Sequence, residues 1–172
     1  MFGKQVGARI YSERTRQVLF LARAKAGIRG SPTMEIGDLI WGVVVEDQMG
    51  FSKALSLTPE FQVGSLRSVS AVQPAPRFLA ARAGDRILQQ LESALTRSTP
   101  NPPGAEIRMS SAVKQTLGLA RALLQKSVGH SVLTPLHLLA AAVESPDHCA
   151  AILRAEGVTQ RRVIRHLRNG KR

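Results

Sequence analysis

A nucleophile next to a general base is one arrangement that supports catalysis, and Cys149 directly follows His148 in this sequence. Activation of a thiol by an imidazole requires both side chains in one pocket. Neighbouring residues of a helix point about 100° apart, so this spacing does not imply a Cys–His pair. We therefore interpret Cys149 as a partly buried structural residue. It is the only cysteine, which excludes an internal disulfide and favours a reducing compartment.

Metal binding and acid–base catalysis also need particular spacings. No H-E-x-x-H or C-x-x-C motif occurs around the four histidines, which are His130, His137, His148 and His166. His137 lies in an apolar segment and is interpreted as a satisfied core or boundary residue, and Trp41 as a core or interface anchor. Glu46 and Asp47 fall at a predicted helix end and are interpreted as solvated. The sequence predicts no catalytic site, no metal and no cofactor.

Positive charge is the most prominent chemical feature. The net charge is +12, with 24 Lys and Arg against 12 Asp and Glu. One face of the last predicted helix and the tail carries Arg161, Arg165, Arg168 and Arg172. Three interpretations stay open: a solvated face, a surface for acidic proteins, or a surface for nucleic acid. No aromatic residues interleave this face, and no nucleic-acid recognition motif accompanies it.

Composition favours a helical protein. Apolar residues make up 44% of the chain but aromatic residues only 4%, so Leu, Ala, Val and Ile must build the core. Such a core suits helix-on-helix packing better than a β-sandwich. No apolar run is long enough to span a membrane, and the first residues lack the apolar region of a secretory signal. The sequence predicts a cytoplasmic protein.

The chain repeats itself. When residues 11–24 are laid on residues 109–122, seven of the fourteen positions are identical, including the run Leu-Ala-Arg-Ala at the end of each segment. After a shift of one residue, Gly30 pairs with Gly129, and Asp38 pairs with His137. Repeats of this kind determine the fold because each unit buries its apolar face against the other.

Helical spacing of apolar residues and helix-ending glycines predict the elements. In the first unit we expect a helix from about residue 12, a second over 35–46, and a short third one around Phe51. A further segment begins at Thr58. In the second unit, Thr134 and Pro135 provide an N-cap and a first helical position. Two more helices are expected over about 147–156 and 159–168.

These elements predict an all-α fold in one domain of two four-helix repeats, related by a pseudo-two-fold axis. Repeat one covers 10–72 and repeat two covers 107–168. The linker 73–106 carries an extra helix with Ile87 and Leu91, and residues 169–172 form a basic tail. The pseudo-two-fold should relate the helices that begin near Ser12 and Ser110.

Several segments of the chain together resemble the Clp N-terminal repeat of the AAA+ unfoldases. They are residues 11–24, Gly30, residues 38–42 (Asp-Leu-Ile-Trp-Gly), residues 133–139 (Leu-Thr-Pro-Leu-His-Leu-Leu) and residues 152–158. The resemblance covers about 10–57 and 107–168. It implies a non-catalytic module that docks protein substrates or adaptors for a Clp ATPase. No phosphate-binding loop of the form G-x-x-x-x-G-K-[ST] occurs in the chain, so we expect either an isolated N-terminal domain or a free-standing relative without an ATPase module. The alternative function is binding of nucleic acid.

The chain departs from the family at one ligand site. Several members carry a Glu in the turn that opens the second helix of each repeat, and this Glu helps to bind phosphorylated arginine. The matching positions here are Gly37 and Leu136, which cannot pair with a guanidinium. Helix N-termini still offer free N–H groups to anions, although Ser12 and Ser110 also fit plain N-caps. The candidate protein- or anion-binding residues are Ser12, Arg16, Asp38, Ser110, Lys114 and His137.

Overall fold

Eight helices and two short strands form the described part of the computed structural model, which covers residues 10–57, 77–127 and 129–170. The helices are α1 (Glu13–Ile28), α2 (Ile36–Met49), α3 (Phe51–Leu57), α4 (Ala81–Ala94), α5 (Ser111–Lys126), α6 (Pro135–Ala142), α7 (His148–Ala155) and α8 (Gln160–Asn169). The strands are β1 (Thr33–Met34) and β2 (Arg108–Met109). The all-α prediction is confirmed. Within these residues no helix has both the length and the apolar character needed to cross a membrane.

The first helix of each repeat begins with the same kind of cap and is followed by a glycine of positive φ. The N-cap serines Ser12 and Ser110 accept a hydrogen bond from the N–H three residues later, at 3.1 and 3.3 Å. Each helix is 16 residues long. Gly30 and Gly129 follow with φ of +78° and +81°, a conformation that only glycine adopts without steric cost. The repeat seen in the sequence is therefore a repeat of local structure.

Reciprocal backbone pairings show the pseudo-two-fold relation between the repeats. The segment before α1 meets the segment before α6, where Ser12 N–H donates to the Leu133 carbonyl at 2.9 Å. The segment before α5 meets the segment before α2 in the same way, where Ser110 N–H donates to the Met34 carbonyl at 3.1 Å. Each repeat thus completes the backbone hydrogen bonding of the other.

Helices α2 and α6 form the centre of the molecule. They pack against each other, α2 also packs against α1 and α4, and α6 also packs against α5 and α8. Both helices are apolar on nearly all sides, as expected for helices enclosed by protein. Trp41 of α2 is confirmed as a core anchor, because it is buried and its indole N–H donates to Glu92 Oε1 of α4 at 3.1 Å.

The extra helix predicted in the linker is present as α4. It packs on α2 through Ile87 and Leu91, as α8 packs on α6 through Val163 and Leu167. From this correspondence we propose that α4 is the fourth helix of the first repeat. The repeat boundaries expected from the sequence, 10–72 and 107–168, remain predictions. The predicted segment that begins at Thr58 lies outside the described residues.

Candidate functional site

A groove of about 240 Å³ lies where the two repeats meet. Helices α2, α6 and α8 and the chain just before α4 form its walls. Its lining is mainly apolar, and its main contributors are Val43, Phe78, Leu79, Leu136, Leu139 and Leu167. Since these residues come from both repeats, neither repeat could form this surface alone.

A partly buried ion pair borders the groove. The Arg14 guanidinium donates to both carboxylate oxygens of Glu46, at 2.5 and 2.8 Å, and Glu46 is only 5% exposed. The prediction that Glu46 is solvated at a helix end was wrong. Helix α2 continues to Met49, beyond the predicted end, which places Glu46 inside the helix and against α1.

Asp47 was predicted to be solvated, but in the structure its side chain holds the groove wall in place. Its carboxylate accepts hydrogen bonds from the backbone N–H groups of Phe78 and Leu79, at 2.7 and 3.1 Å. The side-chain amide of Gln48 donates to the same carboxylate at 2.9 Å. These bonds attach the chain that precedes α4 to the end of α2, and they place the Phe78 ring at the groove.

Two histidines of the second repeat line the groove, and a third lies behind them. His166 packs edge-on against Phe78, with 5.1 Å between ring centroids. His130 packs edge-on against His137 at 5.2 Å. His137 is completely buried, and burial together with the nearby His130 lowers its pKa to about 4. Its ring is therefore neutral at pH 7.

The Nδ1 atom of His137 accepts a hydrogen bond from Thr134 N–H at 3.2 Å, so its proton is assigned to Nε2. Among the described residues Nε2 has no hydrogen-bond partner. The prediction of a satisfied core histidine is therefore correct for its burial and for one nitrogen only.

Asp38 is the counterpart of His137 in the first repeat and is also fully buried. Arg29 donates to both of its carboxylate oxygens at 2.7 Å. The hydrogen bonds to Asp38 raise the pKa of Arg29 above its usual value. Asp38 and His137 were predicted as binding residues, but both face inward to cap their helices and expose no surface to a partner. We therefore leave them out of the proposed site.

The other candidate binding residues remain at the surface. Ser12 and Ser110 serve as N-caps. Arg16 is exposed and pairs with Glu13 at 2.6 Å, and Lys114 is exposed on α5. None of these four residues lines the groove, and their role in anion binding stays a prediction.

The two positions that replace the family's Glu have different surroundings. A Cβ atom on Gly37 would lie 2.7 Å from Leu95 Cδ2 and 2.8 Å from Cys149 Sγ, so a larger side chain does not fit without rearrangement. Leu136, in contrast, is half-buried and lines the groove. This chain therefore presents an apolar side chain at one position and no side chain at the other.

The basic face of α8 lies on the side of the helix away from the groove, which His166 and Leu167 line. Arg161, Arg165 and Arg168 are all exposed, as the sequence predicted. Arg172 lies outside the described residues. The opposite side of α8 buries Val163 and Leu167, and this division gives the helix its strongly amphipathic character.

Cys149 and His148 are closer than the sequence predicted. Cys149 Sγ lies 3.5 Å from His148 Nε2, and the donor atoms of Asp147, His148 and Cys149 lie within 4.8 Å of one another. These residues are the N-cap and first turn of α7, where Asp147 accepts the Cys149 N–H at 2.8 Å. Burial raises the pKa of Cys149 to about 12, so the thiol is protonated and a poor nucleophile. Cys149 is fully buried, more deeply than predicted.

No protein-family model matches the sequence, and no curated protein matches it. Solved structures do match. A chain from preliminary structural investigations of a malarial protein secretion system aligns with a TM-score of 0.67 and 18% identity, covering 94% of each chain. The N-terminal domain of ClpD, a caseinolytic protease associated chaperone from Arabidopsis thaliana, aligns with a TM-score of 0.60 and 14% identity. That alignment covers 97% of this chain and 99% of the ClpD chain. The protein has the fold of a Clp N-terminal domain.

Proposed function

We propose that this protein is a non-catalytic binding module that docks substrates or adaptor proteins for a Clp-type unfoldase or protease. The observation that carries the proposal is the apolar groove formed jointly by the two repeats. An apolar, concave surface in contact with water is a common mark of a binding site. A cytoplasmic location is part of the same proposal.

The size of the groove favours protein side chains over a small-molecule cofactor. Its volume of about 240 Å³ is below the roughly 300–1,000 Å³ of typical small-molecule sites. One or two apolar side chains of a peptide would fill such a space. This mode of binding resembles the anchoring of a few residues in pockets of a protein interface.

The two carboxylates at the groove support a role without catalysis. The carboxylate of Glu46 is engaged by Arg14, and that of Asp47 is engaged by backbone N–H groups. A general base must be within reach of a proton on the substrate. These two carboxylates are instead held by groups that stabilise the fold.

The proposed docking function is tested by introducing a charged residue into the groove. We expect Leu136→Asp to weaken binding of a permanently unfolded, carboxymethylated client by at least roughly tenfold, because a carboxylate in the groove loses hydration when an apolar side chain enters. Fluorescence anisotropy of the labelled client measures this affinity. Leu119→Asp is the matched control, since Leu119 is 51% exposed on α5 and does not line the groove.

Circular dichroism of both variants verifies that they remain folded. Equal affinity of Leu136→Asp and the unsubstituted protein would exclude the groove as the docking surface. A loss confined to Leu119→Asp would move the site to the outer face of α5.

A second candidate function, nucleic-acid binding, rests on the exposed arginines of α8. Three exposed arginines on one helix face can neutralise phosphates and release counterions. Gel shifts with a short oligonucleotide at several salt concentrations test this function. Phosphate contacts predict a linear fall of log affinity with log salt, with a slope that decreases by about 1 for each arginine removed.

A further inference from the structure

Helix α7 of the second repeat packs across the repeat boundary, on α2 and α4 of the first repeat. Its Cys149 side chain lies over Gly37, where an added Cβ atom would come within 2.8 Å of the Cys149 Sγ. Ala150 and Leu153 share this side of α7 and are completely buried. The face that α2 and α4 form is thus covered by a helix with two small residues and a leucine on its inner side.

The groove is the corresponding face of the second repeat. Gly37 corresponds to Leu136, as Asp38 corresponds to His137, and α8 packs on α6 as α4 packs on α2. Leu136 and Leu167 of α8 line the groove. Helix α3, the counterpart of α7, packs instead on α1 and α2 of its own repeat. The groove is therefore the position at which the pseudo-two-fold relation would place a counterpart of α7.

A charged contact at the end of α7 also has a counterpart at the groove. Glu156, the C-cap residue of α7, accepts hydrogen bonds from the Arg86 guanidinium of α4 at 2.9 and 2.6 Å. When the buried residues of α4 and α8 are aligned, Arg86 corresponds to Arg162. The guanidinium carbon of Arg162 lies 5.5 Å from the centroid of the Phe78 ring, which lines the groove.

Arg162 lacks the acidic partner that Arg86 has. Its guanidinium donates to the Gly157 carbonyl at 3.2 Å, and no acidic side chain within the described ranges forms an ion pair with it. A helix bound in the groove as α7 is bound on the first repeat would bring its C-terminal end towards this arginine.

We infer that the groove binds a short amphipathic helix of a partner protein, with small residues, a leucine or similar apolar residue, and a final acidic residue along one side. In α7 these residues are Cys149, Ala150, Leu153 and Glu156, and the spacing i, i+1, i+4 and i+7 keeps them on one side of a helix. This inference rests on the proposed function and adds the conformation and chemistry of the partner.

The lining of the groove fits a helix better than an extended segment. A helix satisfies its own backbone hydrogen bonds, whereas an extended segment would bring N–H and C=O groups against apolar walls. Leu136 has a side chain where Gly37 has none, so the residue of the bound helix that lies over Leu136 has to be small, such as Ala or Gly.

The experiment uses the 172-residue chain and a labelled peptide with the sequence of residues 147–158 and the substitution Cys149→Ala. A peptide this short is barely helical in water, so a cross-link joins positions 151 and 155, which are both exposed in α7. We expect the cross-linked peptide to bind at least roughly tenfold more tightly than the linear one, because its helix is formed in advance. Fluorescence anisotropy measures both affinities.

Leu136→Asp in the protein should weaken binding of the cross-linked peptide by at least roughly tenfold, because it places a carboxylate against the apolar side of the helix. Leu119→Asp should leave the affinity unchanged, since Leu119 does not line the groove. Circular dichroism of both variants verifies that they remain folded.

The charged contact is tested separately. A cross-linked peptide with Glu156→Gln should bind about two- to threefold more weakly at low salt, and Arg162→Gln in the protein should remove this difference. Arg161→Gln is the matched control, because Arg161 lies on the side of α8 away from the groove, and it should preserve the difference. Equal binding of the two peptides to the unsubstituted protein would overturn the acidic part of the inference.

The remaining outcomes separate this inference from the proposed function. If the unfolded client binds and is lost in Leu136→Asp, but the cross-linked peptide neither binds nor displaces it, the docking function stands and the helical partner is wrong. If neither ligand binds, both fail. Equal affinity of the cross-linked peptide for Leu136→Asp and for the unsubstituted protein would place the helix elsewhere and overturn the inference. If sedimentation shows a dimer that Leu136→Asp converts to a monomer, the occupant is a second copy of the chain and the inference is likewise overturned.

Discussion

Asp38 and His137 occupy the same position in the two repeats and perform the same structural task with different charges. Each accepts the backbone N–H of its N-cap residue, from Glu35 at 2.8 Å and from Thr134 at 3.2 Å. A buried carboxylate requires a partner of opposite charge, and Arg29 supplies one for Asp38. A neutral imidazole requires none, so the second repeat caps α6 without burying a charge.

The burial of His137 predicts a dependence of stability on pH. Its pKa of about 4 in the folded protein lies below the ordinary value of 6.5, so the unfolded chain binds a proton that the folded chain does not. The stabilisation is complete above pH 6.5 and is lost as the pH falls towards 4. The loss in the free energy of unfolding amounts to about 3 kcal/mol in all.

Urea unfolding between pH 4 and 7.5 measures this loss. The substitution His137→Gln retains an acceptor for the cap but does not titrate, so its free energy of unfolding should vary less with pH. His148→Gln is the control, because the His148 side chain is 71% exposed. Identical pH profiles for His137→Gln and the unsubstituted protein would contradict the prediction.

At the scale of elements, α2 can approach its neighbours closely because Gly37 has no side chain. Gly37 lies in the first turn of α2, where Leu95 and Cys149 of α7 leave no room for a Cβ atom. This contact brings the start of α2 against both the end of α4 and the start of α7. A close contact of this kind tolerates no additional methyl group without displacement of its neighbours.

We expect Gly37→Ala to lower the free energy of unfolding by about 1–3 kcal/mol through overpacking. Gly118→Ala is the matched control on the exposed face of α5, where nothing lies within 4 Å of the added Cβ. In an exposed helix interior this second change should stabilise by about 0.5–1 kcal/mol. Denaturant unfolding of both variants measures the change in the free energy of unfolding, which should have opposite signs in the two variants. A stabilising effect of Gly37→Ala would show that the contact relaxes easily.

At the scale of the molecule, the repeats are interleaved and do not merely sit side by side. The strand pair β1–β2 joins them, as does the hydrogen bond between Ser12 and Leu133. Helix α2 packs across the boundary on α6 and α7, and α4 also packs on α7. Removal of one repeat would expose apolar surface and break backbone hydrogen bonds of the other.

This interleaving predicts that neither half folds by itself. Chains of residues 10–106 and 107–170 should each show weak helical circular dichroism and no cooperative thermal transition, because short helices are marginal without tertiary packing. The whole chain should unfold in a single transition. A half that melts cooperatively would show that the repeats are independent domains.

Local features of the sequence were sufficient to predict most elements. The N-cap roles of Ser12 and Ser110 depend only on the residues that immediately follow them, and Gly30 and Gly129 end their segments for a local steric reason. The environment of Glu46 was not predicted, because its partner Arg14 lies 32 residues away. The same limit applies to Asp47, whose backbone partners begin 31 residues later.

The sequence by itself determined the helices, their caps, the twofold repetition and the positive charge of the last helix. These properties depend on residue type and on spacing over a few turns. Only the tertiary structure decided that α2, α6 and α8 enclose a groove, that Asp38 and His137 face inward, and that the arginines of α8 lie on the side of that helix away from the groove. The physical reason is that these features arise from packing between elements distant in the chain, where burial and charge depend on all neighbours at once.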